Sequence, residues 1–235
     1  MPEVLSQSAP AIRVGNSAGT PLLRSPMRDR DVREAVRRRL HSQYGSDPHS
    51  RIVEEMGVWS GSVRIDLAVI NGELHGFELK SDRDTLERLP FQADLYSRVF
   101  DRVELIVGAR HAAKVTRIAP PWWAISVATI TDGVVLLRPM IGYPGDKNPN
   151  PEPYLVAQLL WKDEAIAVLD VYGLAKGYRS KNVRLLHERL ASCVPFDALA
   201  RHVRDALKRR PADWLGKQSA GQFNVPIDAK LNPML

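Results

Sequence analysis

Residues 63–96 read VRIDLAVINGELHGFELKSDRDTLERLPFQADLY, and the rest of the chain is organised around them. An apolar, β-branched run carrying Asp66 ends at Ile70. Asn71-Gly72 between two such runs is a strong hairpin signal. A second run climbs through Glu78-Leu79-Lys80, and polar residues 81–84 then lead into a helical pattern holding Gln92 and Tyr96. Alternate strand residues share a face. Glu78 and Lys80 therefore point one way, and Phe77 and Leu79 point the other, into a core. A carboxylate and an ammonium beside a sheet are costly to bury unless something compensates. A divalent cation between Asp66 and Glu78 would compensate, with Lys80 alongside to orient or activate water.

The length of the turn tests this arrangement. A two-residue turn at Asn71-Gly72 pairs Ile70 with Glu73 and sets Asp66 opposite Phe77, which puts the two acids on different faces. An odd loop restores them to one face, for instance a type I turn with a G1 bulge at Gly72. The spacing predicts that odd count, or a bulge elsewhere in the hairpin. Taken alone, an acid-x-lysine pair reads as solvated strand-edge charge.

Asp66, followed by Glu78-x-Lys80 on two antiparallel strands, resembles the PD-(D/E)XK nuclease superfamily. Gln92-x-x-x-Tyr96 looks like the helix motif of its RecB-type branch, and the whole is similar to a bacterial and phage-borne family within it. These motifs cover about a third of the chain around the site. Ile65 stands where the superfamily's name has proline. The resemblance implies an α/β fold of the restriction-endonuclease type: a mixed sheet flanked by helices, here with a C-terminal helical extension. It implies a metal-dependent DNA nuclease with Asp66, Glu78, Lys80, Gln92 and Tyr96 as catalytic residues. Asp66, Glu78 and the Leu79 carbonyl would hold Mg²⁺, with Mn²⁺ as a substitute. DNA is the partner implied, with a homodimer or a phage or host protein as a further one. The different-class alternative is a DNA- or partner-binding module on a nuclease fold without hydrolysis.

Composition bounds these readings. A chain of 235 residues, 44% hydrophobic, can hold one large domain, or one domain plus a small appendage, with a real core. Its one cysteine, Cys193, excludes a disulfide framework and any cysteine-based zinc site, and fits a reducing cytoplasm. No run reaches the roughly 20 apolar residues that span a bilayer, so no membrane partner is expected. The N-terminus lacks a charged start followed by an apolar block, which argues against secretion.

From its beginning, the chain divides into a flexible arm (1–26), a nuclease-like core (27–140), a linker (141–153), a basic helical region (154–215) and a loosely ordered tail (216–235). A helix is expected over residues 28–44, with Val32, Val36 and Leu40 striping one side. Its arginines face either a phosphate backbone or water, and Glu34 is a weaker candidate acid. Residues 52–56 suggest a first strand bringing Glu55 near the site as a third oxygen ligand, and Gly57 with 60–62 a loop. Asp84-Thr85-Leu86-Glu87 fits a capping box opening a helix that carries Arg88, a candidate phosphate contact. Pro90 predicts a kink or a late restart. Residues 102–108 read as a buried parallel strand, and 111–118 as a short helix. Residues 124–130 and 134–137 form a hairpin around Thr131-Asp132-Gly133, with Trp122-Trp123 closing the core. Helices are expected over 154–172, 182–191 and 196–209. Residues 176–210 hold ten Lys or Arg against three acids, including Arg179, Lys181 and Arg184, a charge that suits a polyanion.

Overall fold

The computed structural model describes residues 26–214 apart from 60 and 212. Nearly all of the expected arm, and the expected tail, lie outside the described residues. The β-branched runs build one six-stranded sheet in the order β1 (Arg51–Val58), β2 (Val63–Ile70), β3 (Leu74–Lys80), β4 (Arg102–Gly108), β5 (Ala124–Thr131) and β6 (Val134–Pro144). The first three strands form an antiparallel meander. β4 is parallel to both β3 and β5, and β6 returns antiparallel. The mixed α/β fold expected from the sequence is therefore present.

Helix α1 (Asp29–Tyr44) covers one face. Its buried Val32, Val36 and Leu40 pack with Leu67, Val69, Phe77, Leu79 and Ile106. The other face carries α2 (Leu89–Val99), the crossover between the parallel strands β3 and β4. On this face too lie α4 (Pro153–Ala157), α5 (Lys162–Val171), α6 (Val183–Cys193) and α7 (Phe196–Arg209), whose apolar residues join the strands in one continuous cluster. A single turn, α3 (Ala112–Val115), preceded by a 3-10 turn, stands where a helix over 111–118 was expected. The C-terminal helices thus bury their apolar faces on the sheet itself.

Four local expectations are corrected. The linker expected at 141–153 begins as strand, since β6 runs to Pro144. Its remainder is pinned by Asn148, whose side-chain amide donates to the carbonyls of Ser97 (2.6 Å) and Phe100 (2.8 Å). Gly57 pairs with Arg64 inside the β1/β2 ladder and is not loop. No capping box opens at Asp84, whose Oδ2 accepts from the backbone and hydroxyl of Ser81 at 2.7 and 2.6 Å. The helix starts at Leu89 with Pro90 in its first turn, where a missing N–H is harmless. The helix expected over 154–172 divides into α4 and α5 at Trp161. There the Trp161 N–H donates to Glu164 (2.7 Å), and Glu164 also holds Arg210. The Arg210 guanidinium sits 4.2 Å from the Trp161 ring and 4.6 Å from the Trp214 ring. This cation–π sandwich, far apart in sequence, sets the break.

Gly76 lies on β3 under Phe100. A Cβ there would fall 2.4 Å from Ile65 Cδ1 and 3.1 Å from the Phe100 ring. Gly76→Ala is expected to destabilise the fold by about 1–3 kcal/mol through overpacking, measured as a lower urea midpoint at unchanged slope.

Candidate active site

The loop between β2 and β3 spans residues 71–73, because Ile70 pairs with Leu74 and Leu67 with Phe77. This is the odd count the spacing predicted. Gly72 does not have a positive φ, so the G1 bulge is absent. The Glu73 N–H instead donates to the Asn71 side chain at 2.9 Å, an Asx-type turn. One step beyond Leu67↔Phe77, the register sets Asp66 opposite Glu78. Glu54↔Leu67 and Met56↔Ile65 bracket Glu55 opposite Asp66. Three acids on three neighbouring strands therefore stand in one row.

The row sits on a kink. Glu55 has φ 51°, a left-handed conformation that a non-glycine residue adopts only at a cost. Val53 and Met56, three residues apart, both face the larger core, as do Ile65 and Ala68. Strict alternation would put each pair on opposite faces. Both strands switch phase together around Glu55 and Asp66. The β2/β3 ladder ends at Leu67, and the Asp66 carboxylate takes up β3 instead, accepting from the Leu79 N–H at 2.8 Å.

Glu78 is 2% exposed. The Lys80 ammonium donates to its Oε1, as does the Gln92 amide at 2.7 Å. The Tyr96 hydroxyl lies 2.9 Å from its Oε2 and 2.8 Å from the Arg64 carbonyl, and its one proton serves one of the two. A protonated Glu78 would donate to Tyr96 and let Tyr96 donate to Arg64, satisfying the whole chain. Burial, with the charge of Asp66 second, pushes the Glu78 carboxyl up to about 7. Burial raises Asp66 as well, and burial with the adjacent Glu78 raises the Tyr96 phenol. Gln92 Oε1 is buried without a hydrogen-bond partner.

The sequence missed Arg33. This α1 residue donates to Asp66 Oδ1 at 2.6 Å and pairs with Glu55 at 3.0 Å and Asp29 at 3.2 Å. Its signal was present only as an arginine beside the Val32/Val36 stripe. Glu34 stays outside the site and pairs with Arg38.

Glu55, Asp66, Glu78, Lys80 and Gln92 line a cleft of about 460 Å³, which also takes in Leu79, Arg64 and Arg88. Asp66, Glu78, Lys80, Gln92, Glu55, Leu79 and Arg88 are thus brought together, and Tyr96 stands behind Glu78. Arg179, Lys181 and Arg184 are exposed in the C-terminal helical region and line no part of the cleft; Arg179 pairs with Asp170, and Arg184 with Glu188. Among the described residues, no three His, Cys, Asp or Glu side chains converge closely enough to form a metal cluster. Each acid of the row is matched instead by Arg33 or Lys80. Among the described residues, no helix is long and apolar enough to cross a membrane.

Comparison with known proteins gives a family. The family described as Bacteriophage P4 protein cII matches residues 25–217. Protein cII of Enterobacteria phage P4 is 33% identical over 91 residues, 39% of this chain and 34% of that protein, so the match spans about a third of the relative's length. No solved structure matches. The family match covers most of the chain, and the chain belongs to that family.

Proposed function

We propose that this member of the bacteriophage P4 protein cII family is a metal-dependent DNA nuclease that hydrolyses phosphodiester bonds at Asp66, Glu78 and Lys80. One observation carries the reading. Two carboxylates with raised pKa stand opposite each other at a cleft, one beside an ammonium, the other across from the left-handed Glu55. Buried acids disfavoured in their charged form are a mark of functional sites.

The donors suit a hard cation. Asp66, Glu78, the Leu79 carbonyl and Glu55 offer oxygen only, as Mg²⁺ or Mn²⁺ prefers. Arg33 already balances Asp66 and Glu55, so a cation would displace its guanidinium. When bound, such an ion lowers the pKa of water and offsets the charge developing at phosphorus.

The chain's own groups do the rest. Lys80, anchored on Glu78, orients the attacking water and adds positive charge where the phosphorane forms. Gln92 and Tyr96 fix the Glu78 rotamer through one hydrogen bond each, and the Gln92 amide also reaches the Tyr96 hydroxyl. Arg88, exposed at the rim, meets a flanking phosphate. The water oxygen forms the new P–O bond, and the bond to the leaving sugar oxygen breaks.

The test uses purified protein with linear and circular DNA in Mg²⁺, in Mn²⁺ and in EDTA. Cutting in either metal and none in EDTA supports the nuclease. A second reading, a DNA- or partner-binding module, draws on the pairing of every acid in the row with an internal cation. DNA binding without cutting in any metal would favour it. Indifference to DNA with cleavage of RNA would make the protein a ribonuclease.

A further inference from the structure

The residues beside the cleft lining carry a second kind of chemistry: Phe91 stands next to Gln92, and Trp59 two positions before Gly61. Phe91, in the first turn of α2, is 51% exposed. Its ring lies 6.0 Å from that of Trp59, tilted by 51°. Trp59 is held there by a left-handed backbone, φ 48°, in the β1–β2 turn, where its carbonyl accepts from the Ser62 N–H at 3.1 Å. On a helix that buries Leu89, Ala93 and Val99, Phe91 is the aromatic left half in water. Two arginines line the cleft itself. Arg88 precedes α2, and Arg64 is the second residue of β2, its carbonyl 2.8 Å from the Tyr96 hydroxyl. Both are exposed, and no ion pair holds either among the described residues.

Aromatic faces interleaved with free cations match one partner chemistry. Unpaired bases stack on rings regardless of sequence, and the phosphates between them meet the guanidiniums. In a blunt duplex the base faces are already stacked and closed to such rings. We infer that the rim formed by Trp59, Phe91, Arg64 and Arg88 binds single-stranded nucleic acid and feeds it to the acid row. The substrate class of the proposed nuclease is then a strand that is unpaired at the point of entry. This inference rests on the nuclease reading for its purpose but not for its test.

The test is binding of the full chain, in EDTA, to a fluorescein-labelled 20-nucleotide single strand and to the same sequence as a blunt duplex, followed by anisotropy. The single strand is expected to bind about tenfold tighter or more. Phe91→Ala is expected to reduce single-strand affinity by about tenfold, the scale of one lost base stack, and Phe91→Tyr to retain it. Phe91 is exposed enough for its truncation to leave the fold intact, which circular dichroism checks. Arg64→Gln with Arg88→Gln is expected to flatten the salt dependence of binding. Equal affinity for the two DNAs, no binding of either, or an unaffected Phe91→Ala protein would overturn the inference. EDTA suppresses hydrolysis, so a failed nuclease assay leaves this result standing. Metal-dependent cutting without strand preference would sink the inference and leave the nuclease reading intact.

Discussion

Lys80→Ala is expected to lower metal-dependent DNA cleavage by roughly 10²–10³-fold, the usual loss when one preorganised charge is removed from a developing oxyanion. The ammonium is 12% exposed and rests on Glu78, so its position is set before any substrate arrives. Alanine removes the charge and leaves the Glu78 bonds to Gln92 and Tyr96 in place. Asp66→Asn should be at least as damaging to turnover. Asparagine keeps an oxygen for the Leu79 N–H, so the β2/β3 junction survives, and the negative charge alone is lost. Asp66→Asn should keep wild-type melting within a few degrees, whereas Lys80→Ala should melt lower because the buried Glu78 loses its counter-charge. Both, assayed while folded, should keep their affinity for the single strand in EDTA. Robust cleavage by Lys80→Ala would remove Lys80 from the mechanism. Robust cleavage by both would place the chemistry elsewhere on the molecule.

Glu78→Gln is expected to do the reverse to stability: at pH 8 the variant should be more stable than the wild type, by about 1–3 kcal/mol, while cutting no DNA. The Glu78 carboxyl is raised from its ordinary 4.5 to about 7 by burial and then by Asp66. Between those values the folded state holds a proton that the unfolded chain has released. Stability therefore falls as pH rises from about 4.5 to about 7 and is flat in this respect above it. At about 1.4 kcal/mol for each pH unit, the buried anion costs up to roughly 3 kcal/mol at pH 8. Glutamine mimics the protonated acid and removes that cost. It retains an acceptor oxygen, although Lys80 loses its ion pair, which sets the lower end of the range. Denaturant titrations at pH 5 and pH 8 check this: the wild type should lose stability between them and the variant less. Asp66, also raised by burial, adds to the wild-type slope with the same sign. A Glu78→Gln protein that is weaker than wild type at pH 8 would show that Glu78 serves the fold and is no stored strain.

Much of this was legible in the amino-acid sequence. The run of Val32, Val36 and Leu40 at helical spacing is the buried stripe of α1. Residues 102–108 read as a parallel strand because they are apolar on both faces, and they are one. The hairpin around Asp132-Gly133 turns on two residues of positive φ. The odd loop after β2 followed from requiring Asp66 and Glu78 to share a face. The spacing of Gln92 and Tyr96 on one helical face also survived, because four residues of helix bring two side chains together whatever lies beneath. Less legible was the start of α2. A local acid pattern at 84–87 mimics a capping box, but Asp84 was already committed to Ser81.

By itself, then, the sequence determined where strands and helices lie and which acids line up, since period, turn chemistry and register act over a few residues. Only the tertiary structure decided what those acids touch. Arg33 reaches Asp66 across 33 positions, Arg210 is clamped between Trp161 and Trp214, and Glu55 is bent into a left-handed strand residue. Each depends on desolvation and on charges from distant segments, and no local pattern encodes which partner a buried charge will find once water is gone.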